Sequence, residues 1–351
     1  MFRSNEVTFL IGAGCSVQAK VPSAKDMILK LEERLLSPAG ADYEPLYSYL
    51  KGALIQATYI EEPKRLNQCP LNPDIERLVV VLSELEKHHK SLLYPFIGSW
   101  APHLIHVTKN DFALIWRLKN EIINQLKDWV KPDDNYKASS YYKHFFRFQK
   151  EYNYPLRVFS LNYDLCFEEN TPDESILELG FNNDDDIWDG SVFSPRDEDE
   201  TNIYLYKLHG SMDWQRDETQ GTLRRVTFPA AHPDLIFGIE YKMQFVDPYL
   251  FYAHEFRRYT REAKVVISIG YSFRDPHING IIHQALLQRP DSVLLVLYLD
   301  QEFDAAKDLG RSGQIKQIKG NAKDFLDKLT VAGLYKMAGF DTTGSSHPVP
   351  F

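Results

Sequence analysis

The chain reads as an α/β protein, a Rossmann-like doubly wound parallel sheet with a large all-helical insertion. Three observations predict this. Apolar runs of strand length recur at residues 7–11, 156–161, 203–208, 264–269 and 292–299, and they lack the polar alternation of a strand with one wet face, as strands buried on both faces do. Segments of helical spacing separate most of these runs, which is the strand–helix–strand pattern of a parallel sheet. More than a hundred residues of nearly pure helical spacing separate the first run from the second.

Taken in order, the first strand climbs through Val7-Thr-Phe-Leu-Ile to Gly12-Ala-Gly14-Cys-Ser16. A helix follows from about Ser23, its predicted N-cap, with Met27, Ile28, Leu31 and Leu35 on one face. Strand, glycine turn and helix N-terminus together predict an anion-binding corner, since glycines admit a phosphate and a helix start favours negative charge. Val17 stands where the third glycine of a G-x-G-x-x-G fingerprint would fall, so a turn needed only for packing reads equally well.

The segment 41–154 reads as the helical insertion. Residues 43–60 have helical spacing; Asn72-Pro73-Asp74 caps a helix through Ile75, Leu78, Val79, Leu82 and Leu85; Asp111 to Val130 repeats the pattern; Ser139 to Tyr152 adds an aromatic-rich helix. The Tyr141-to-Phe148 aromatics could stack bases, but their helical spacing reads better as core. The sheet domain is then 1–40 with 155–335, and 336–351 is a tail. Further helices are expected from Asp247-Pro248, from Pro276 to Leu287 and near Ala322 to Leu329, with a short apolar run at Leu235-Ile-Phe-Gly238. The acid-rich loop over 182–201 reads as solvated surface.

With 351 residues, 44% of them hydrophobic, the chain can bury a sizeable core. No apolar run approaches the ~20 residues needed to span a bilayer, and no leader pattern precedes the first strand, so a cytoplasmic, membrane-free protein is expected. Three scattered cysteines, Cys15, Cys69 and Cys166, fit neither a disulfide framework nor a four-ligand zinc site. A net charge of −9 argues against direct nucleic-acid binding by the surface as a whole. His88, His89, His103 and His106 lack acids or cysteines at ligand spacing and read as surface residues.

Functional residues in open parallel sheets lie at the carboxyl ends of strands. Each run here ends in a glycine or polar cluster: Gly12-Ala-Gly14, Asn162-Tyr163-Asp164, His209, Gly270-Tyr-Ser272 and Asp300. A core strand has no packing need for these. Tyr271 to Asn279, with Arg274, Asp275 and His277, is denser in functional side chains than a helix start requires; it reads as a cofactor or oligomer contact, or as a plain capped helix.

Gly12-Ala-Gly14-Cys-Ser16, Ser160-Leu-Asn162-Tyr-Asp164, Leu208-His209-Gly210, Phe237-Gly238-Ile-Glu240 and Ile269-Gly270-Tyr-Ser272 together resemble the successive motifs of the sirtuin family, in the family's order. The resemblance implies NAD as substrate, with Ala13, Gly14 and Ser16 against its pyrophosphate and Gly12, Asp26 and Tyr163 among the other cofactor-side residues. It implies Asn162 holding a water or the nicotinamide-side ribose, Asp164 taking the carboxamide N–H of nicotinamide, and His209 as the base at that ribose. Gly270, Ser272 and Asp300 would serve the adenosine half. An amide, a carboxylate and an imidazole suit cleavage through an oxocarbenium-like state, though a helix cap at Asn162 and Asp164 and a structural histidine are the bland alternatives.

Two departures refine the resemblance. Protein-deacylating sirtuins carry a four-cysteine zinc module between the His-Gly and Phe-Gly motifs, and no cysteine lies between His209 and Gly238. The Pro-x-Phe-Arg cofactor loop is replaced by Val21-Pro22-Ser-Ala-Lys25-Asp26. Both are similar to the zinc-less sirtuin-like NAD hydrolases of antiphage systems. The expectation is an NAD glycohydrolase without zinc, restrained by self-assembly into a homo-oligomer or by a partner such as a defence ATPase or a short Argonaute. The alternatives are an NAD-dependent deacylase or ADP-ribosyltransferase, and a non-catalytic NAD or ADP-ribose sensor.

Overall fold

The computed structural model describes residues 2–38, 40–61, 75–87, 101–132, 134–182, 184–194, 200–217, 219–237, 246–300, 302–311 and 313–340. The chain forms two compact units, one of Met1–Val21 with Val130–Phe351 and one of Pro22–Trp129.

The first unit is built on a seven-stranded, wholly parallel sheet in the order β10-β9-β8-β1-β2-β4-β3. Its strands are β1 (Val7–Ile11), β2 (Leu156–Ser160), β3 (Leu177–Glu178), β4 (Ile203–Lys207), β8 (Val265–Ile269), β9 (Val293–Tyr298) and β10 (Ile315–Lys319). Between β4 and β8 the chain makes a second, antiparallel sheet of β5 (Gly210–Arg216), β6 (Leu223–Arg225) and β7 (Pro233–Leu235), with β5 in the middle. The second unit holds α1 (Ala24–Leu35), α2 (Glu44–Glu61), α3 (Ile75–Glu86), α4 (Ala101–Thr108) and α5 (Ala113–Trp129). The first unit adds α6 (Lys143–Tyr152), α7 (Tyr249–Glu262), α8 (Pro276–Gln288), α9 (Asp304–Lys307), α10 (Ala322–Lys328) and α11 (Val331–Met337).

Phe9 on β1 meets Phe145 and Phe148 of α6 edge to face, with ring centroids 5.2 and 5.7 Å apart. The aromatic run is therefore core. Phe9 registers with Val158, so the neighbouring Phe159 points to the other face, where it stacks on Tyr206 at 4.6 Å and meets Phe256 of α7 at 4.9 Å. Each fully buried ring stabilises the fold by roughly 1.5–3 kcal/mol relative to exposure.

The doubly wound parallel sheet and the all-helical block are both present. Their boundaries differ from the 40/41 and 154/155 breaks expected from the sequence. Helix α1, which the sequence assigns to the sheet domain, packs on α3 and α5 within the helical unit. Conversely α6, assigned to the insertion, packs on β1, α10 and α11 of the sheet unit. The expected tail at 336–351 begins inside α11, and Phe340 still packs its ring against Phe2 and Tyr335. Residues 341–351, Cys69, the Asn72-Pro73-Asp74 cap, His88, His89, Gly238 and Glu240 lie outside the described residues. No helix among the described residues is long and apolar enough to cross a membrane.

Candidate functional site

One row of register fixes the level of the site. Lys207, Ser160, Ile11, Ile269 and Leu297 are paired neighbours across β4, β2, β1, β8 and β9. Gly12, Asn162, His209, Gly270, Ser272 and Asp300 all lie one to three residues beyond that row. The chain passes from β1 to one side for β2 and β4 and returns on the other side for β8, so these residues flank a topological switch point, where open α/β sheets bind ligands.

The glycines are required by their contact with one another. Gly14 donates its N–H to the Gly270 carbonyl at 2.9 Å, and a Cβ on Gly14 would lie 2.7 Å from the Gly270 Cα. A Cβ on Gly12 would lie 2.7 Å from the Gly270 oxygen. Gly270 itself has φ +69°, and a Cβ there would stand 2.1 Å from the Cys15 nitrogen. The N–H groups of Gly14, Cys15 and Ser16 are donated to the carbonyls of Gly270, Gly12 and Ala13. This corrects the anion corner expected from strand, turn and helix. Two 3-10 turns, Ala13–Cys15 and Val17–Ala19, follow the glycines, and α1 starts only at Ala24 in the other compact unit.

A buried polar cluster gathers beneath the turn. Ser16 Oγ donates to Asp164 Oδ2 at 2.8 Å, contacts the Tyr142 hydroxyl at 2.8 Å and accepts from Asn162 Nδ2 at 3.0 Å. Asp164 Oδ1 accepts the Cys166 N–H at 3.0 Å, so both carboxylate oxygens are taken by protein donors. Asn162 Oδ1 is buried without a partner among the described residues.

His209 follows β4, beside β2. Its Nε2 lies 3.6 Å from Asp275 Oδ2, and both side chains are only 5% exposed. Asp275 comes from the loop after β8, and its other oxygen caps α8 through the N–H groups of His277 and Ile278. The segment 270–275 therefore reaches from the tip of β8 past β1 and β2 to His209, two residues beyond β4. Nδ1 of His209 is buried with no partner among the described residues. Two residues earlier, Lys207 is 1% exposed, and its Nζ donates to the Asp164 carbonyl at 2.7 Å and to Glu168 and Ser211 at 2.8 Å each. Burial pulls the Lys207 ammonium down, but the Glu168 and Asp213 carboxylates more than offset this, so its pKa is raised and it stays charged. Lys207 thus ties the Asn162–Asp164 turn to the start of β5, which carries the chain on from His209.

Tyr163 donates its hydroxyl to the Ile236 carbonyl at 3.0 Å, and its ring centroid is 6.4 Å from that of His209. Ser272 and Asp300 are exposed beyond β8 and β9. Asp26 belongs to the helical unit, where it closes the α1 capping box with Ser23. Lys207 and Glu168 join the cluster without having been singled out from the sequence, where each reads as an ordinary charged residue; Tyr142 joins it from an aromatic run that reads there as core. Asp275 is the cap of α8, as the plain-helix reading of its segment has it, and its second oxygen faces His209. His103 and His106 are exposed, and among the described residues no three His, Cys, Asp or Glu side chains gather as a metal site.

Residues 156–318, from the first residue of β2 into β10, match the family model described as a SIR2-like domain. Solved structures similar to it include a Sir2 homolog–NAD complex, at 12% identity and a TM-score of 0.43, over 95% of this chain and 90% of that one. Another is a Sir2–p53 peptide–NAD+ complex, at 11% identity and a TM-score of 0.42, over 97% of this chain and 95% of that one. No curated protein matches the sequence.

Proposed function

We propose that the chain hydrolyses NAD to nicotinamide and ADP-ribose. The observation that carries this reading is a pair of buried atoms without a partner among the described residues, Asn162 Oδ1 and His209 Nδ1, beyond adjacent strands at the switch point of a sheet whose 156–318 segment matches a SIR2-like domain model. Buried polar atoms without partners cost about 1–3 kcal/mol each, and a ligand bearing hydroxyls and an attacking water would satisfy both.

The chemistry follows from the two groups. Asn162 is held by Ser16 through Nδ2, which leaves Oδ1 to accept a hydrogen from water and aim that water at the anomeric carbon. With Asp275 facing Nε2 of His209, the ring proton is favoured on Nε2, and Nδ1 is the acceptor for a ribose hydroxyl proton. Asp275 then stabilises the imidazolium that forms. Water adds its oxygen to the ribose as the glycosidic bond breaks; nicotinamide leaves with the bonding pair, and one proton is released. Hydrogen bonds to a developing oxocarbenium and a positioned base are the effects expected to lower this barrier.

An enzyme that empties NAD from its own cytoplasm must be restrained. The reading therefore includes an abortive-infection role, with control by self-assembly or by a partner such as a defence ATPase or a short Argonaute. The test is release of nicotinamide and ADP-ribose, followed by chromatography, with and without the products of neighbouring genes. Asn162→Ala and His209→Ala are each expected to lower turnover about 10²–10⁴-fold while retaining NAD binding. NAD binding without products under any of these conditions would make the domain a sensor. Deacylation of an acetyl-lysine peptide in place of simple hydrolysis would make it a deacylase.

A further inference from the structure

At the end of the sheet opposite the strand tips, where β8 and β9 begin, the C-terminal half of α7 and the end of α8 border an open cavity of about 650 Å³. Its walls carry Arg257, Arg258, Arg261, Arg289 and His254, with Glu262 as the one carboxylate among the described residues. Four guanidinium groups gather here in a chain whose net charge is −9.

The arginines divide into two kinds. Arg258 is held by Glu255 at 3.5 Å and Glu262 at 3.3 Å and lies over the Tyr259 ring, while Arg289 donates to the Glu262 carbonyl and, at 3.1 Å, to Asp291. Both are fixed in place. Arg257 and Arg261 stand one turn apart on the exposed side of α7, and neither has a carboxylate within ion-pair distance among the described residues. Like charges brought together at a surface repel unless an anion joins them. Guanidinium groups bind phosphate oxygens in a planar, two-pronged way. The cavity has the size of a small-molecule site, larger than a single phosphate needs. Its lining is charged and offers no exposed aromatic platform for stacking bases, as a nucleic-acid track would.

We propose that this cavity binds a small soluble ligand carrying two or more linked phosphate groups. Arg258 and Arg289 form the preformed floor, and Arg257 and Arg261 close on the ligand. The site is separate from the strand tips and does not depend on the NAD reading.

The test is calorimetric titration of the full chain with inorganic tripolyphosphate, beside orthophosphate and a 12-nucleotide single-stranded DNA. Tripolyphosphate is expected to saturate at one equivalent and to bind about tenfold or more tighter than orthophosphate. R257A/R261A is expected to weaken it by about tenfold or more, with an unchanged melting curve in the absence of ligand; R261E provides a second variant at an exposed position. His209→Ala is expected to leave this binding unaltered. Absence of saturable binding, equal affinity in both arginine variants, or loss in His209→Ala would overturn the proposal. Arginine-dependent binding of the DNA in preference to tripolyphosphate would overturn it in favour of a nucleic-acid surface.

Discussion

At His209 the two ring nitrogens have different surroundings: Nε2 faces Asp275 at 3.6 Å, and Nδ1 faces no partner among the described residues. Asp275 acts through the imidazole as a positioning residue, and Asp275→Asn keeps its shape while removing the charge that faces Nε2. Its expected effect is a fall in kcat of about ten- to a hundredfold, because the imidazole is no longer oriented, with little change in KM. Steady-state NAD hydrolysis with kcat and KM resolved checks this. Gly270→Ala is a different kind of change, since its Cβ meets the Cys15 backbone at a positive φ. Chemical denaturation is expected to show a loss of about 2–4 kcal/mol. Asn162 and His209 were legible in the sequence because an apolar strand has no reason to end in an amide or an imidazole. The meeting of His209 with Asp275, and of Ser16 with Tyr142, was not, because neither local spacing nor hydropathy carries a contact between distant segments.

Among the elements, the capped helices were the easiest to read. Ser23 caps α1 as its sequence predicts, and Asp275 caps α8 through a side-chain oxygen. The edge strand β10 was missed because Ile315-Lys-Gln-Ile-Lys319 is only half-buried and too polar to read as an inner strand. Strands β6 and β7 have three residues each, shorter than any hydropathy pattern can register. Within the helical unit Glu32 joins α1 to α2, accepting from the Tyr47 hydroxyl at 2.7 Å and from Lys51. Burial pushes Glu32 up, but these donors pull it further down, so its pKa lies below the usual glutamate value of 4.5. The unfolded chain therefore binds this proton more readily, and the stability Glu32 contributes is present above that value and lost as pH falls through the lowered one. Glu32→Gln is expected to destabilise by about 1 kcal/mol at pH 7, with the difference shrinking below pH 4.5; thermal melts of both chains across that range measure it.

For the whole molecule, the sequence conveyed the fold class and the helical block but not the division between units, because α1 and α6 have amphipathic patterns that do not say which core they join. The sheet unit buries Cys15 and Cys166 as free thiols. Burial pushes Cys15 up to about 12 and Cys166 higher still. In the native chain at pH 8 neither is expected to react with a thiol reagent, whereas both react in guanidinium; a timed absorbance assay with cysteine variants distinguishes them. The position of β1 bears on how the protein is made. This innermost strand leaves the ribosome before both of its neighbours, and β8 follows only after the helical unit, β2 and β4. At ordinary rates of synthesis the wait for β2 alone is on the order of ten seconds, during which Val7-Thr-Phe-Leu-Ile11 has no sheet to enter. The contiguous helical unit can meanwhile finish folding, and the nascent β1 is a natural client for a holding chaperone.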